Sequence, residues 1–383
     1  MSVKNILMYL LVIMLFPVYV FSQQMFSDEK IIEWNPVDEV SRFRIVDINS
    51  DGNLDIICEG EGEFACYKNS SDGSNFITEY PNSLIDEISL NDFHLVDMDD
   101  DGDLDITAAS GSEIMWYQNT DGKGDFSSPY TITTDVNRKP LSIFPADLNG
   151  DGFIDIVASL DYTTPKLVWY ENMGDNINFS GQKFIDNVIF YSYFTVIDID
   201  GDGDLDIISG THDWSNAGND KIILYENTDG LGLFNLYTII SSGNPGISDI
   251  CVKDLDGDKD MDILASYLHS DESKIMWHKN TDGQGNFSSI IIDSDYSNDV
   301  FAADIDGDGD LDAVSVSSNK INWYENTNSE GSFGAARTIT NEANEANYVT
   351  SVDLDNDGDN DIIVLEDDDV TLYENLNGQG DFG

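Results

Sequence analysis

Residues 198–208 read DIDGDGDLDII, and the rest of the chain is organised around this stretch. Carboxylates occupy alternate positions from Asp198 to Asp206, Gly203 stands at the sixth position, and two isoleucines follow. Alternating carboxylates around a glycine are typical of a backbone loop that curls around a hard, oxygen-preferring cation. The stretch occurs in seven copies along the 383 residues, which predicts a repeat protein.

The copies of this Asp-rich loop start 49 to 56 residues apart. They span 47–55, 97–105, 147–155, 198–206, 254–262, 304–312 and 353–361. An aromatic-Tyr-x-Asn motif recurs in phase with the loops, for example as WYQN at 116–119 and WYEN at 323–326. A period near 50 residues with several short strands per unit predicts a β-propeller or a related β array.

Each repeat is predicted to contribute four short strands, rich in β-branched and aromatic residues. In the second repeat they are expected at about 91–96, 106–110, 113–119 and 126–134, separated by Gly, Asn and Asp. No segment combines a sustained 3.6-residue apolar period with helix caps, so almost no helix is expected.

The two ends of the chain are complementary. A segment at about 27–34 has the spacing of a fourth strand without a blade, and the last repeat stops at Gly383, where its fourth strand should begin. Pairing the two would close the ring and cover a sheet edge. The predicted fold is all-β: a seven-bladed β-propeller of four-stranded antiparallel blades over residues 23–383, closed by the N-terminal strand completing the last blade. Truncation of a longer protein would also explain the abrupt end.

The net charge and the N-terminal sequence limit the possible locations and binding partners of the protein. The formal net charge is -57, with 74 acidic against 17 basic residues, so nucleic acid is excluded as a partner and divalent cations are favoured. Residues 1–22 are predicted to be a signal peptide, with a membrane anchor as the alternative. We therefore expect a secreted or cell-surface protein, monomeric and without membrane insertion after cleavage.

The three cysteines do not form a disulfide framework or a metal-site pattern. Cys58 and Cys66 lie across a predicted hairpin and could pair. Cys251 lies in an apolar run and is interpreted as a small core residue.

The loops are predicted to bind up to seven Ca²⁺ ions, one per blade, through oxygen atoms at alternate positions. Position 1 is Asp47, Asp97, Asp147, Asp198, Asp254, Asp304 and Asp353. Position 3 is Asn49, Asp99, Asn149, Asp200, Asp256, Asp306 and Asp355. Position 5 is Asp51, Asp101, Asp151, Asp202, Asp258, Asp308 and Asp357. Position 7 is Asn53, Asp103, Phe153, Asp204, Asp260, Asp310 and Asp359. Position 9 is Asp55, Asp105, Asp155, Asp206, Asp262, Asp312 and Asp361.

Two positions refine this prediction. Phe153 at position 7 indicates that the ligand there is a backbone carbonyl. Position 6 is glycine in every loop except the fifth, where Lys259 stands, so a loop that needs a positive φ would be strained at Lys259 and its site weakest.

Alternative cation-binding loops and alternative metals fit less well. An EF-hand needs Glu at position 12 and flanking helices, whereas position 12 is Cys58 in the first loop and Ala108 in the second. Magnesium needs a stricter octahedron, and soft metals would need Cys or His among the ligands. The remaining alternative is a set of solvated acidic turns, which would leave many carboxylates in mutual repulsion.

The phased loop and the aromatic-Tyr-x-Asn motif, which a Gly-x-Phe turn follows, resemble the FG-GAP/VCBS repeat family. That family includes the β-propeller of integrin α subunits and many secreted bacterial proteins, and the resemblance covers residues 26–383. It implies a seven-bladed propeller with calcium between strands A and B, bound by side chains at positions 1, 3, 5 and 9 and by the carbonyl at position 7. Lys259 and the Asn residues of loops one and three depart from the pattern. Because functions in the family are diverse, no specific role is implied.

Function is expected on the face opposite the calcium loops, where the connections between strands B and C are longer in the third, fourth and fifth repeats. The candidate ligand residues there are Asp161, Tyr162, His212, Asp213, Trp214, Asn216, Asn219, Tyr267 and His269. The favoured function is adhesion to, or recognition of, carbohydrate or extracellular protein. The alternatives are a polysaccharide lyase or hydrolase and an architectural module of a longer surface protein. No catalytic constellation is identifiable, so the protein is not predicted to be an enzyme.

Overall fold

The computed structural model describes residues 30–31, 39–60, 63–69, 76–79, 90–134, 138–161, 166–174, 178–187, 193–211, 220–234, 236–244, 246–268, 273–328 and 330–382. These residues form 28 β-strands and no helix. The predicted signal peptide lies outside them. Among the described residues, no helix is long and apolar enough to cross a membrane.

The strands form seven four-stranded antiparallel sheets, which are the blades of a propeller. Blade 1 comprises β2 to β5: Val40–Val46, Asp55–Gly60, Glu63–Asn69 and Phe76–Glu79. Blade 2 comprises β6 to β9: Leu90–Val96, Asp105–Ser110, Glu113–Tyr117 and Tyr130–Thr134. Blade 3 comprises β10 to β13: Lys139–Ala146, Asp155–Asp161, Lys166–Tyr170 and Lys183–Asp186. Blade 4 comprises β14 to β17: Tyr193–Ile197, Asp206–Gly210, Asp220–Glu226 and Leu236–Asn244.

The other three blades repeat the pattern. Blade 5 comprises β18 to β21: Gly246–Lys253, Asp262–Leu268, Lys274–Asn280 and Phe287–Asp293. Blade 6 comprises β22 to β25: Asp299–Ala303, Asp312–Ser317, Lys320–Tyr324 and Arg337–Thr340. Blade 7 comprises β26 to β28, at Tyr348–Val352, Asp361–Glu366 and Asp369–Tyr373, together with β1 at Lys30–Ile31.

The N-terminal strand completes the last blade, as predicted. Lys30 pairs with Leu372 and Ile31 pairs with Thr371, so β1 is the outer strand of the sheet β1-β28-β27-β26. The predicted strands of the second repeat are confirmed with shifted bounds. The largest shift is in the fourth strand, which begins at Tyr130, while Phe126 forms only an isolated bridge with Asn119.

The hydrophobic core lies between blades. Each of the seven core clusters combines residues of two neighbouring blades, and the cluster of Phe43, Cys58, Tyr67, Ile363 and Leu372 joins blade 1 to blade 7. The second strand of each blade is almost entirely buried, because neighbouring blades cover both of its faces. A single blade therefore cannot bury its apolar surface alone, and stability depends on the closed ring.

None of the cysteines, all three of which are described, forms a disulfide bond. Cys58 and Cys66 lie on adjacent strands but are offset by one residue, since Cys58 is opposite Ala65 and Cys66 is opposite Ile57. The suggested pairing is therefore not present.

Candidate metal centres

The Asp-rich loops connect the first and second strands of each blade, and their backbone is held by the Asp at position 1. In the first loop, the N–H groups of Asp51 and Gly52 donate to Asp47 Oδ1 at 3.1 Å and to Asp47 Oδ2 at 2.8 Å. The fourth loop is held in the same way by a bond from Gly203 N–H to Asp198 Oδ2 at 3.0 Å. This Asp thus bends the chain so that the later side chains of the loop face the same side.

Position 6 requires left-handed backbone, as predicted from its glycines. Its φ is between 89° and 98° at the six glycines and 78° at Lys259. The fifth loop therefore adopts the common conformation despite its side chain. Lys259 N–H still donates to Asp254 Oδ2 at 2.9 Å.

Position 4 has the same requirement, which sequence reasoning missed. Its φ lies between 56° and 73° in all seven loops. The residues are Ser50, Asp100, Gly150, Gly201, Gly257, Gly307 and Asn356. Glycine in four loops and Asp or Asn in two others could have revealed it, because these residue types tolerate left-handed backbone best.

The loops bring carboxylates together in the way that a cation site needs. In five loops, three carboxylates have oxygen atoms within 4.8 Å of one another. These groups are Asp97/Asp99/Asp105, Asp198/Asp200/Asp206, Asp254/Asp256/Asp262, Asp304/Asp306/Asp308 and Asp353/Asp355/Asp357. The first and third loops carry Asn49 and Asn149 at position 3, so their sites contain an amide in place of one carboxylate.

Several of these oxygen atoms are buried without a hydrogen-bond partner, namely Oδ1 of Asp99, Asp254, Asp256 and Asp306. Burial raises the pKa of Asp99, Asp200, Asp306 and Asp355, and the neighbouring carboxylates raise it further. Unpartnered, mutually repelling carboxylate oxygens are costly unless a cation balances them. The donor set is hard oxygen throughout, and it therefore fits Ca²⁺.

The Asp at position 9 also has a structural role in each blade. In blade 4, Asp206 is 1% exposed and accepts the N–H of Ile199 at 3.3 Å and the N–H of Asn227 at 2.8 Å. The equivalent pair of bonds is present in all seven blades. Burial raises the pKa of this carboxyl to about 6 in the first blade and to about 7 in the others. The loop is thereby tied to the third strand of its own blade.

In five blades the Asn of the aromatic-Tyr-x-Asn motif bonds the loop of the preceding blade. Asn227 Nδ2 in blade 4 donates to the carbonyl of Leu148 at 2.8 Å, and Leu148 is position 2 of the loop in blade 3. The same contact is made by Asn280, Asn326 and Asn375, and by Asn69 of blade 1, which donates to Leu354 of blade 7. These five bonds join neighbouring blades at their Asp-rich loops, from blade 3 through blade 7 to blade 1, and so across the closure of the ring.

The fifth loop is contacted by a lysine that stands before the motif Asn. Blade 1 also has a lysine at this position, and there Lys68 Nζ donates to the carbonyl of Lys123 at 2.8 Å. The side chain before the motif Asn lies beside loop position 3: Gln118 Nε2 donates to Asp99 Oδ2 at 2.6 Å, and Glu226 raises the pKa of Asp200 electrostatically. In blade 5 this residue is Lys279. Its ammonium group bonds Asp256 Oδ2 and lies 3.3 Å from Asp258 Oδ2. A cation of the chain itself therefore contacts positions 3 and 5 of this loop.

Two of the sequence-predicted ligand-face residues are described. Asp161 is half-buried at the end of β11. Tyr267 is 1% exposed and its hydroxyl bonds Ser241 Oγ at 3.1 Å and His278 Nε2 at 2.8 Å, so the prediction is wrong for this residue. Tyr162, His212, Asp213, Trp214, Asn216, Asn219 and His269 lie outside the described residues.

The FG-GAP-like repeat model matches residues 47–107, 97–158, 254–315 and 304–364, which together make up more than half of the chain. The chain belongs to the FG-GAP-like repeat family. The matched segments each begin at the first Asp of one loop and end in the second strand of the next blade. A comparison with curated protein sequences gave no significant match.

Solved structures share the fold of this FG-GAP-like propeller at low identity. An Agrocybe aegerita lectin that recognises non-reducing terminal N-acetylglucosamine has 19% identity and a TM-score of 0.59, over 79% of this chain and 81% of the lectin. The Dos1 propeller has 10% identity and a TM-score of 0.54, over 90% of this chain and 81% of Dos1. The extracellular domain of a hybrid two-component system from B. thetaiotaomicron has 14% identity and a TM-score of 0.50, over 90% of this chain and 39% of that one.

Proposed function

We propose that this FG-GAP-like propeller is an extracellular recognition module, stabilised by calcium, that binds carbohydrate or protein and is not an enzyme. The observation that carries the calcium assignment is the set of buried, unpartnered carboxylate oxygens at loop positions 1 and 3. The loops are repeated in every blade, which favours a structural role for the ion over a single active site. Calcium supplies the positive charge that holds the first two strands of a blade together at the loop.

Recognition is favoured by the similarity in fold to a lectin and to an extracellular domain. It is also favoured by the longer connections that the third, fourth and fifth repeats carry between their second and third strands. Variable loops on a rigid scaffold are where binding usually resides. An extracellular location agrees with the sequence of residues 1–22 and with the free-calcium levels that weak extracellular sites need.

Thermal unfolding tests the role of calcium. We expect the melting temperature to fall strongly in excess EDTA and to recover with added Ca²⁺, because each site filled at a hundred times its Kd adds about 2.7 kcal/mol. Recovery with Mg²⁺ alone would contradict the assignment of the ion. An unchanged melting temperature in EDTA would contradict metal binding altogether.

Binding to a glycan array and to a panel of extracellular matrix proteins, each with and without calcium, tests recognition. We expect calcium-dependent binding to at least one ligand class, weakened by Trp214→Ala and unaffected by substitution of the buried Tyr267 with Phe. A silent result on both arrays would reject recognition in favour of an architectural role. Turnover of a bound polysaccharide would reject the proposal that the protein is not an enzyme.

A further inference from the structure

A cavity of about 690 Å³ lies where the first strands of the blades meet. All seven blades contribute residues to its lining. These residues come from the first strand of each blade or from just before it, except Leu365 in the second strand of blade 7. The first strands run from this end towards the Asp-rich loops, so the cavity lies towards the face opposite the metal centres. We call this cavity the axial pocket.

One side of the axial pocket is basic and is formed by blades 1 to 3. Its basic residues are Arg42, Arg44, His94 and Lys139. Two of the four arginines of the chain therefore lie in this one cavity. Because basic residues are scarce in a chain with a net charge of -57, their concentration at the axis is not expected from composition.

The arginines are held in place by neighbouring groups. Arg44 Nη2 lies 3.2 Å from Asp92 Oδ1, and its guanidinium group lies 5.2 Å from the centre of the Phe93 ring. Arg42 Nη1 donates to the carbonyl of Leu90 at 3.3 Å and lies 3.9 Å from Glu59. Each guanidinium group has five N–H donors, so donors remain for a ligand carboxylate.

The other side of the axial pocket is acidic and is formed by blades 5 and 6, across the ring from blade 2. Asp249 and Asp299 line the cavity and hydrogen-bond to each other. Asp299 Oδ2 also accepts the N–H of Val349 at 2.7 Å, and Asp249 Oδ2 accepts the N–H of Val300 at 3.4 Å. Burial raises the pKa of both carboxyl groups, and the neighbouring Asp249 raises the pKa of Asp299 further.

In the described part of the chain, Asp249 and Asp299 lack the basic neighbours that the equivalent residue Asp92 has. Asp92 occupies the same position of its strand, and there Arg44 and His94 outweigh the effect of burial and hold the pKa of Asp92 well below its usual range. None of the ion pairs among the described residues involves Asp249 or Asp299. The same strand position is occupied by Ser142 in blade 3, so the fold itself does not require a carboxylate there.

Two tyrosines complete the acidic side. Tyr193 and Tyr348 line the cavity at the same strand position in blades 4 and 7, next to blades 5 and 6. Tyr193 is 45% exposed, and Tyr348 packs edge-on against Phe43 with ring centres 5.1 Å apart. Aromatic faces beside paired carboxylates are a favourable environment for an ammonium group.

We propose that the axial pocket binds a small dipolar ligand, with an ammonium group at Asp249 and Asp299 and a carboxylate at Arg42 and Arg44. This inference deepens the proposed recognition function, on which it rests. The net charge of the protein disfavours a purely anionic ligand, whereas a ligand without net charge meets both sides of the pocket. The volume lies within the usual range for small-molecule sites and suits a short peptide or an acidic amino sugar.

Calorimetric titration of the full chain in calcium tests the proposal, with triglycine and muramic acid as the two dipolar probes. N-acetyl-triglycine, triglycine amide and N-acetylmuramic acid are the matched probes with one end blocked. We expect one dipolar probe to bind and each blocked form of it to bind at least about tenfold more weakly, since each loses a charge-assisted contact. The probe that binds identifies the source of the ligand.

Variants locate the binding site. Asp299→Asn keeps an acceptor for Val349 N–H, and we expect it to abolish the preference for the free amine; Arg42→Gln should abolish the preference for the free carboxylate. Asp295→Asn is the matched control, because Asp295 pairs with Lys320 outside the pocket. If a variant fails to fold, the comparison of free and blocked probes on the unaltered chain still decides.

The proposal is overturned if neither dipolar probe binds at about 10 mM. A dissociation constant of that size corresponds to a binding free energy of only about -3 kcal/mol. It is also overturned if blocked and free probes bind equally. Array ligands that bind equally well to the chain and to Asp299→Asn would leave the recognition function standing and reject the axial pocket as its site. Probe binding together with silent arrays would support the pocket and reject the macromolecular ligand.

Discussion

The most informative perturbation is Lys279→Gln in the fifth blade. In the structure the Lys279 ammonium group bonds Asp256 and lies 3.3 Å from Asp258 Oδ2, at loop positions 3 and 5. A calcium ion that uses those carboxylates has to displace the ammonium group first. Glutamine is compatible with the site, because Gln118 donates to Asp99 at 2.6 Å in the equivalent contact of blade 2.

The magnitude follows from the contact that has to be broken. A hydrogen bond between charged groups contributes about 1.5–3 kcal/mol, and each 1.4 kcal/mol is a tenfold change in affinity, so calcium affinity at this loop should rise about 10- to 100-fold. The Lys279 side chain is 29% exposed, and screening by solvent favours the lower end of that range.

Calcium titration of the chelator-stripped protein by calorimetry measures this effect. We expect the unaltered chain to have one site weaker than the rest, and Lys279→Gln to bring that site into the range of the others. Lys320→Gln is the matched control, since Lys320 pairs with Asp295 at the end of blade 6 that lies away from the Asp-rich loop. Equal stoichiometry and affinities in Lys279→Gln and the unaltered chain would refute the reasoning, as would the same gain in the control.

Three further predictions concern stability. Lys259→Gly should stabilise the metal-free chain by about 0.5–1 kcal/mol in urea unfolding. It relieves the backbone strain of a side chain at a φ of 78°, although glycine also gives the unfolded chain more conformational entropy. A loss of stability would argue against strain at that position. Asn227→Ala should cost about 1–3 kcal/mol by leaving the buried carbonyl of Leu148 without this donor, whereas Asn377→Ala on the surface should cost little. Burial lowers the pKa of His278 to about 4 from 6.5, so its contribution to stability is present above pH 6.5 and is lost as the pH falls towards 4. At pH 5 this loss is about 2 kcal/mol, and His278→Gln should be less sensitive to acid over that window in paired urea titrations; parallel titrations would contradict the assignment.

Much of the fold could be predicted from the sequence because the information is periodic. Seven loops at intervals near 50 residues specify the number of blades, and each loop determines its own backbone through Asp and Gly at fixed offsets. The positive φ at Lys259 was predictable for that reason, since position 6 is glycine in the other six loops. The closing strand was predictable from spacing at the two ends, although its pairing is limited to Lys30 and Ile31 among the described residues.

Contacts between repeats were not predictable in the same way. The bond from Asn69 to Leu354 joins residues 285 positions apart, and the contact of Lys279 with Asp256 depends on how a third strand packs beside its own loop. Tyr267 was misjudged because its sequence neighbourhood resembles an exposed connection, while the blade packing buries it against Ser241 and His278.

The sequence by itself thus determined the blade count, the Asp-rich loops and the spacing of their carboxylates, because each is encoded within a short segment that repeats. Only the tertiary structure decided that Arg42, Arg44, Asp249 and Asp299 line one cavity. Each of these residues lies in the first strand of its blade, at a position that no sequence motif marks. They meet because closing the ring brings the first strands of all seven blades to a common axis, and no local pattern records which side chains will face one another there.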